Sequence, residues 1–250
     1  MSVQHAVQVA VNRALRPTGF QVVRGHSTDP AISPFLPARR TIKQAAKAGK
    51  SVGDFLDSYS AEPGATAATV DALLEIGHLT PDTVDRVCEI GPGSGRYTAR
   101  VQAAVQPSWY EVYETASDWI RYLRGELPTL TFRPTDGHTL APTPSASVDL
   151  VHTHKLLGYI PFVTALGYVD EMARVVRPGG VVAFDLITDD CLDDSTTKVW
   201  LTEPHRMSIY SVAPRAWLTD FLAQRNLELE GSRFVPLSGG RTELLVYRRR

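Results

Sequence analysis

The sequence predicts an α/β fold: a mostly parallel seven-stranded sheet with helices on both faces, preceded by a helical cap. Three observations predict it. From Arg86 onward, short apolar runs of strand length alternate with stretches of helical spacing, the pattern of parallel strands joined by helical crossovers. Before residue 80, helix-compatible stretches occur with no strand run between them. At Arg86–Tyr97 a strand run, a glycine-rich turn and a helix start follow in order, which marks where a ligand approaches the sheet.

Taken in order, Val3–Leu15 carries apolar residues at helical spacing and is stopped by Arg16-Pro17-Thr18-Gly19. A linker containing Pro30, Pro34 and Pro37 follows. Thr41–Lys50 is helix-compatible, Ser51 is placed to cap a helix reaching Tyr59, and Pro63-Gly64 ends it. Ala65–Ile76 is another helix, closed by Gly77. Residues 1–80 thus read as cap and linker, and 81–250 as the sheet domain. Its strand runs are Arg86–Ile90, Trp109–Glu114, Leu130–Phe132, Val148–Thr153 and Val181–Ile187, with helices at Tyr97–Val105, Ala116–Leu123 and Phe162–Val176. An irregular stretch holding Asp189, Asp190, Asp193 and Asp194 comes next, and residues 188–212 read as an insertion. A helix near Pro214–Gln224 precedes two strand runs, Glu228–Pro236 and Thr242–Arg248, which flank Ser238-Gly239-Gly240 as a hairpin.

With 43% hydrophobic and 21% charged residues, the chain can bury a core and is not a disordered polymer. No apolar run reaches the ~18 residues that span a bilayer, so no membrane partner is expected. The start lacks a basic segment followed by an apolar core, and the protein reads as cytosolic. Cys88 and Cys191 are too few for a disulfide framework, and Cys88 sits in an apolar run as a core residue. The net charge of −1 conceals an asymmetry, because residues 1–54 carry +6. Such an arm could meet an anionic acceptor, RNA or a sugar phosphate; its plainer reading is a solvated helical face. Aromatic interleaving is sparse, which disfavours nucleic acid as a partner. A homodimer stays open.

Gly91, Gly93 and Gly95 let the backbone turn and pass close to a ligand. Alone, this loop is a weak signal shared with dinucleotide enzymes. Its spacing is G-x-G-x-G, however, not the dinucleotide G-x-G-x-x-G. Glu89, two residues before Gly91, disfavours a pyrophosphate but can pair with an ammonium group, which S-adenosylmethionine carries. Glu114, at the end of the second strand, can accept hydrogen bonds from ribose hydroxyls. With these features the sequence resembles the class I, Rossmann-like S-adenosylmethionine-dependent methyltransferases over about Val84–Ile187. The resemblance implies S-adenosylmethionine as cofactor. It assigns Glu89 and the three glycines to the cofactor loop, Glu114 to the ribose, and Asp136 with Gly137 to the adenine. Asp149–His154 matches the fourth strand, and Ala173–Gly180 the turn before the fifth.

An oxygen acceptor needs a proton-accepting group, and histidine is the common choice near neutral pH. His152 and His154 lie at the end of strand four, on one face by period-two alternation; His154 is the more reachable. The Asn-Pro-Pro-Tyr motif of amino-directed enzymes of this class is absent. Trp200, His205, Arg206 and Tyr210, with Tyr159, offer rings and donors suited to a saccharide, or else a lid packing on the core. The pattern is similar to bacterial, actinobacterial methyltransferases of saccharide biosynthesis, such as the mycobacterial enzymes of methylmannose polysaccharide assembly. The alternatives are an RNA methyltransferase using the basic arm, a phenolic O-methyltransferase, and a cofactor-binding regulator without turnover. No metal site is assigned. The aspartates near Cys191 read as a solvated acidic loop, although Asp185, Asp189 or Asp190 would be the candidates for a metal.

Overall fold

The computed structural model describes residues 36–59, 63–202, 211–237 and 239–250. The expected helix Val3–Leu15 and most of its linker lie outside them. Among the described residues three helices come first: α1 (Ala38–Lys47), α2 (Val52–Tyr59) and α3 (Ala65–Ile76). The Ser51 hydroxyl accepts from the Asp54 amide at 3.1 Å, so the expected cap forms and starts α2. Asp57 of α2 caps the next helix from the side, accepting from the Thr66 amide at 3.2 Å and its hydroxyl at 2.6 Å. Residues 36–250 cluster as one compact unit, so these helices share a unit with the sheet.

The remaining elements are β1 (Arg86–Ile90), α4 (Arg96–Val105), β2 (Trp109–Tyr113), α5 (Ser117–Glu126), β3 (Thr131–Phe132), β4 (Val148–Thr153), α6 (Phe162–Val175), β5 (Val176–Leu186), α7 (Asp194–Thr202), α8 (Arg215–Ala223), β6 (Leu227–Leu237) and β7 (Gly240–Arg249). The sheet order is β3-β2-β1-β4-β5-β7-β6. The expectation of a mostly parallel sheet is corrected: the sheet is mixed. β1 to β5 pair in parallel, but the two longest ladders, β5–β7 and β6–β7, are antiparallel. For β6 and β7 the physical reason is the short link at Gly239 (φ 78°), which can join only antiparallel neighbours; β7 then enters between β6 and β5 and runs against β5 as well. A second correction concerns the stretch after Ile187, where Asp194–Thr202 forms a helix within what the sequence reading left irregular.

Alternation along the strands splits the core into two layers. Val87, Tyr110, Val112, Leu150, Val181, Ala183, Leu244 and Val246 face α3 and α4. Cys88, Ile90, Val151, Val182, Phe184, Leu245 and Tyr247 face α6 and α8, with Cys88 fully buried as expected. Beyond β5, Thr188 bridges Ala213, and the Ala213 amide donates to the Ile187 carbonyl at 2.9 Å. The chain therefore leaves the carboxyl end of β5 and returns to it. Among the described residues no helix is long and apolar enough to cross a membrane.

Candidate active site

The turn between β1 and α4 is built on backbone that only glycine adopts without strain. Gly91, Gly93 and Gly95 have φ of 64°, 53° and 74°. At Gly91 and Gly95 crowding adds to this. A Cβ at 91 would lie 2.9 Å from Leu156, just past β4, and one at 95 would lie 2.5 Å from Leu123 of α5. At Gly93 a Cβ would meet only the Gly91 carbonyl, at 4.0 Å, so the loop is open there. Glu114 holds this loop: it accepts from the Gly93 amide at 2.9 Å and the Ala116 amide at 2.8 Å. Each carboxylate oxygen keeps a lone pair, so it can still accept from a ligand hydroxyl. Burial raises the Glu114 pKa. An open glycine turn with a half-committed carboxylate beside it fits a ribose-bearing ligand.

Asp136 is exposed and shapes its own turn. It accepts from the His138 and Thr139 amides at 2.8 and 2.7 Å and from the Thr139 hydroxyl at 2.8 Å. These bonds lower its pKa to about 2. Gly137 follows at φ 80°.

Glu89 points into the layer between the sheet and α4, and is 1% exposed. Tyr110 of β2 donates to it at 2.7 Å. The Tyr110 oxygen also lies 2.7 Å from His152 Nε2. When Glu89 is ionised it can only accept, so Tyr110 gives it its one proton and accepts from His152 as the Nε2–H tautomer. Burial pushes Glu89 up to about 7 and His152 well below its ordinary value.

Two residues on, His154 has a fully buried side chain. Its ring stacks on Tyr97 of α4 at 4.6 Å and lies 5.2 Å from His152. Its Nδ1 is 3.4 Å from Asp185 of β5, an ion-pair distance, and neither ring nitrogen has a hydrogen-bond partner. Asp185 is held in turn by the Lys155 amide (2.9 Å), the Lys155 ammonium (3.2 Å) and the Thr242 hydroxyl (2.8 Å). Lys155 adopts φ 54°, strained for a residue with a Cβ, at the strand's carboxyl end. With the ammonium beside it, Asp185 stays well below the usual carboxylate range despite its burial.

Tyr159 and Trp200, both half-buried, pack on one cluster with Ile187, Cys191 and Leu237. His205, Arg206 and Tyr210 lie outside the described residues. The acidic stretch is bound from within. Asp189 accepts from the Arg215 amide at 2.6 Å, starting α8. Asp193 accepts from the Thr196 amide at 2.7 Å and pairs with Arg241 at 3.1 Å. Among the described residues no group of acidic, histidine or cysteine side chains could hold a metal. Sequence reasoning missed Tyr97, Tyr110 and Lys155. The signal was present only for Lys155, a cation directly after His154; strand register and helix packing, which bring in the tyrosines, are not written locally.

The family profile described as "Methyltransferase domain" matches residues 40–231, well over half of the chain. No curated protein matches the sequence. Among solved structures, an O-methyltransferase family protein from Burkholderia thailandensis superposes with a TM-score of 0.57 at 14% identity, covering 96% of this chain and 83% of its own. A geranyl diphosphate methyltransferase in complex with S-adenosylmethionine gives 0.55 at 13%, covering 73% and 85%. The [4+2]-cyclase SpnF gives 0.52 at 14%, covering 72% and 79%. At these identities the structures share the fold, and the family match carries the assignment. The chain belongs to the methyltransferase domain family and is an S-adenosylmethionine-dependent methyltransferase.

Proposed function

We propose that this enzyme methylates a hydroxyl oxygen of a small saccharide. The observation that carries the oxygen reading is the buried His154–Asp185 pair at the end of β4, with Nε2 of His154 unpartnered. When bound, the cofactor supplies a methyl carbon activated by a sulfonium. Gly91, Gly93 and Gly95 would line its approach, Glu114 would accept from its ribose, Asp136 and Gly137 would border its adenine, and Glu89 would answer its ammonium charge. His154 Nε2 would take the hydroxyl proton as the acceptor oxygen gains the methyl, the electron pair of the broken carbon–sulfur bond staying on the departing sulfur. His152 serves less well, because its Nε2 is engaged by Tyr110. His154 Nε2 is buried in this conformation, so an acceptor reaches it only when the groups around the ring shift. Tyr159 and Trp200 offer the rings on which a sugar would stack.

A labelled-methyl screen across saccharides, phenols and RNA tests this reading. Label on a saccharide oxygen is the expected result. Label on phenols alone would move the acceptor class. Label on RNA would transfer the role to the exposed cations Arg39, Arg40, Lys43 and Lys47 of α1.

A further inference from the structure

We propose that Asp185, clamped by Lys155 and Thr242, is the positioning residue that sets the tautomer and orientation of His154. The inference rests on the proposed role of His154 as proton acceptor and deepens it. The geometry runs through three strands. Lys155 turns sharply after β4 at φ 54°, and that one residue delivers both its amide (2.9 Å) and its ammonium (3.2 Å) to the Asp185 carboxylate on β5. Thr242 on β7 donates to the same carboxylate at 2.8 Å. The Lys155 ammonium is itself held by the Pro236 carbonyl and the Thr242 hydroxyl, each at 2.7 Å. A carboxylate with donors on both oxygens, 0% exposed in its side chain, cannot rotate away.

His154 presents Nδ1 to that fixed acceptor at 3.4 Å, longer than a hydrogen bond. The contact can tighten when the ring gains a proton, because the imidazolium then faces a full negative charge in a dry site. Nδ1 is the nitrogen that faces Asp185, so the carboxylate favours Nδ1–H and leaves the lone pair on Nε2, which faces no acceptor or donor at hydrogen-bond distance. The other groups facing the ring are His152 on β4 and Tyr97 on α4, and neither carries a charge near neutral pH. His152 is wired the opposite way, with its proton on Nε2. Two histidines two residues apart on one strand would therefore hold opposite tautomers, an asymmetry that no structural packing role requires.

Long-range ¹H–¹⁵N correlation spectra of the full chain test this directly, with His154→Gln used to assign the signal. The expected wild-type spectrum shows His154 as Nδ1–H and His152 as Nε2–H. In Asp185→Asn, His154 should shift toward Nε2–H and turnover should fall by about 10²–10⁴-fold. A thermal melt reports whether that variant folds. Should it not fold, Lys155→Met keeps the carboxylate with its amide and Thr242 donors but removes the ammonium from one oxygen, so a mixture of His154 tautomers is expected, and a His154 that is Nε2–H in this variant and in the wild type alike overturns the proposal. A wild-type His154 that is Nε2–H, or a folded Asp185→Asn whose His154 tautomer is unchanged, overturns the proposal. Should the tautomer respond as expected while His154→Gln turns over normally, the proton-acceptor reading of His154 falls and the Asp185–His154 pairing stands.

Discussion

Glu89 sits inside the sheet with one hydroxyl donor and one neutral imidazole near it, and burial raises its pKa from 4.5 to about 7. The folded chain therefore keeps a proton that the unfolded chain has released between those pH values. Stability must fall as pH rises through that window, by on the order of 3 kcal/mol. Glu89→Gln removes the titration while keeping an acceptor for Tyr110. It should melt above the wild type at pH 8 and close to it at pH 4; equal melts at both would show that Glu89 ionises freely. Glu114→Ala should weaken S-adenosylmethionine binding by about 1.5–3 kcal/mol by calorimetry, because hydrogen bonds to a charged group are lost. His154→Ala should cut turnover by about 10²–10⁴-fold and leave cofactor affinity nearly unchanged, with His152→Ala as the milder comparison. At this scale the sequence is a partial guide. The glycine turn was legible because its left-handed backbone follows from local residue type, and Glu114 is found beside it, holding the Gly93 amide. The company of Glu89 was not, since Tyr110 reaches it through strand register and two residues' spacing says nothing of that.

The helices before β1 are tied to the glycine turn through one side chain. Asp57 of α2 pairs with Arg96, the first residue of α4, at 3.0 Å, while also holding the start of α3. Asp57→Ala removes a helix cap and an ion pair that is only partly exposed. It should destabilise the chain by about 1–3 kcal/mol in urea titrations. If the loss is below about 0.5 kcal/mol, the three contacts are not made in solution. α3 is bounded by residues 65 and 76 as expected, because Gly64 and Gly77 punctuate it from the sequence. The helix Asp194–Thr202 escaped notice for the opposite reason. Its capping aspartate, Asp193, is one of four closely spaced acids, and composition alone read them as a loop.

Across the molecule, protection should follow position in the sheet. β1, β4 and β5 are flanked on both sides and buried, whereas β3 is two residues long at one edge. Hydrogen exchange should therefore release β3 amides at least about 100-fold faster than those of β4. Uniform rates would mean the edge opens only with the whole. The alternation of strands and helices made the α/β class legible, and the two last strand runs were found. Their direction against β5 was not legible, because pairing partners are chosen in three dimensions. One contact carries a further cost for change. A methyl of Leu156 stands where a Cβ at Gly91 would lie, 2.9 Å from it, so the two positions are direct neighbours. A larger residue at 156, chosen to reshape the acceptor side, would push the turn that serves the cofactor. Leu156→Phe should thus register first as a poorer S-adenosylmethionine dissociation constant. A lineage adapting to new acceptors is then steered away from position 156 and toward the stretch beyond β5, whose ends are pinned together at Thr188 and Ala213.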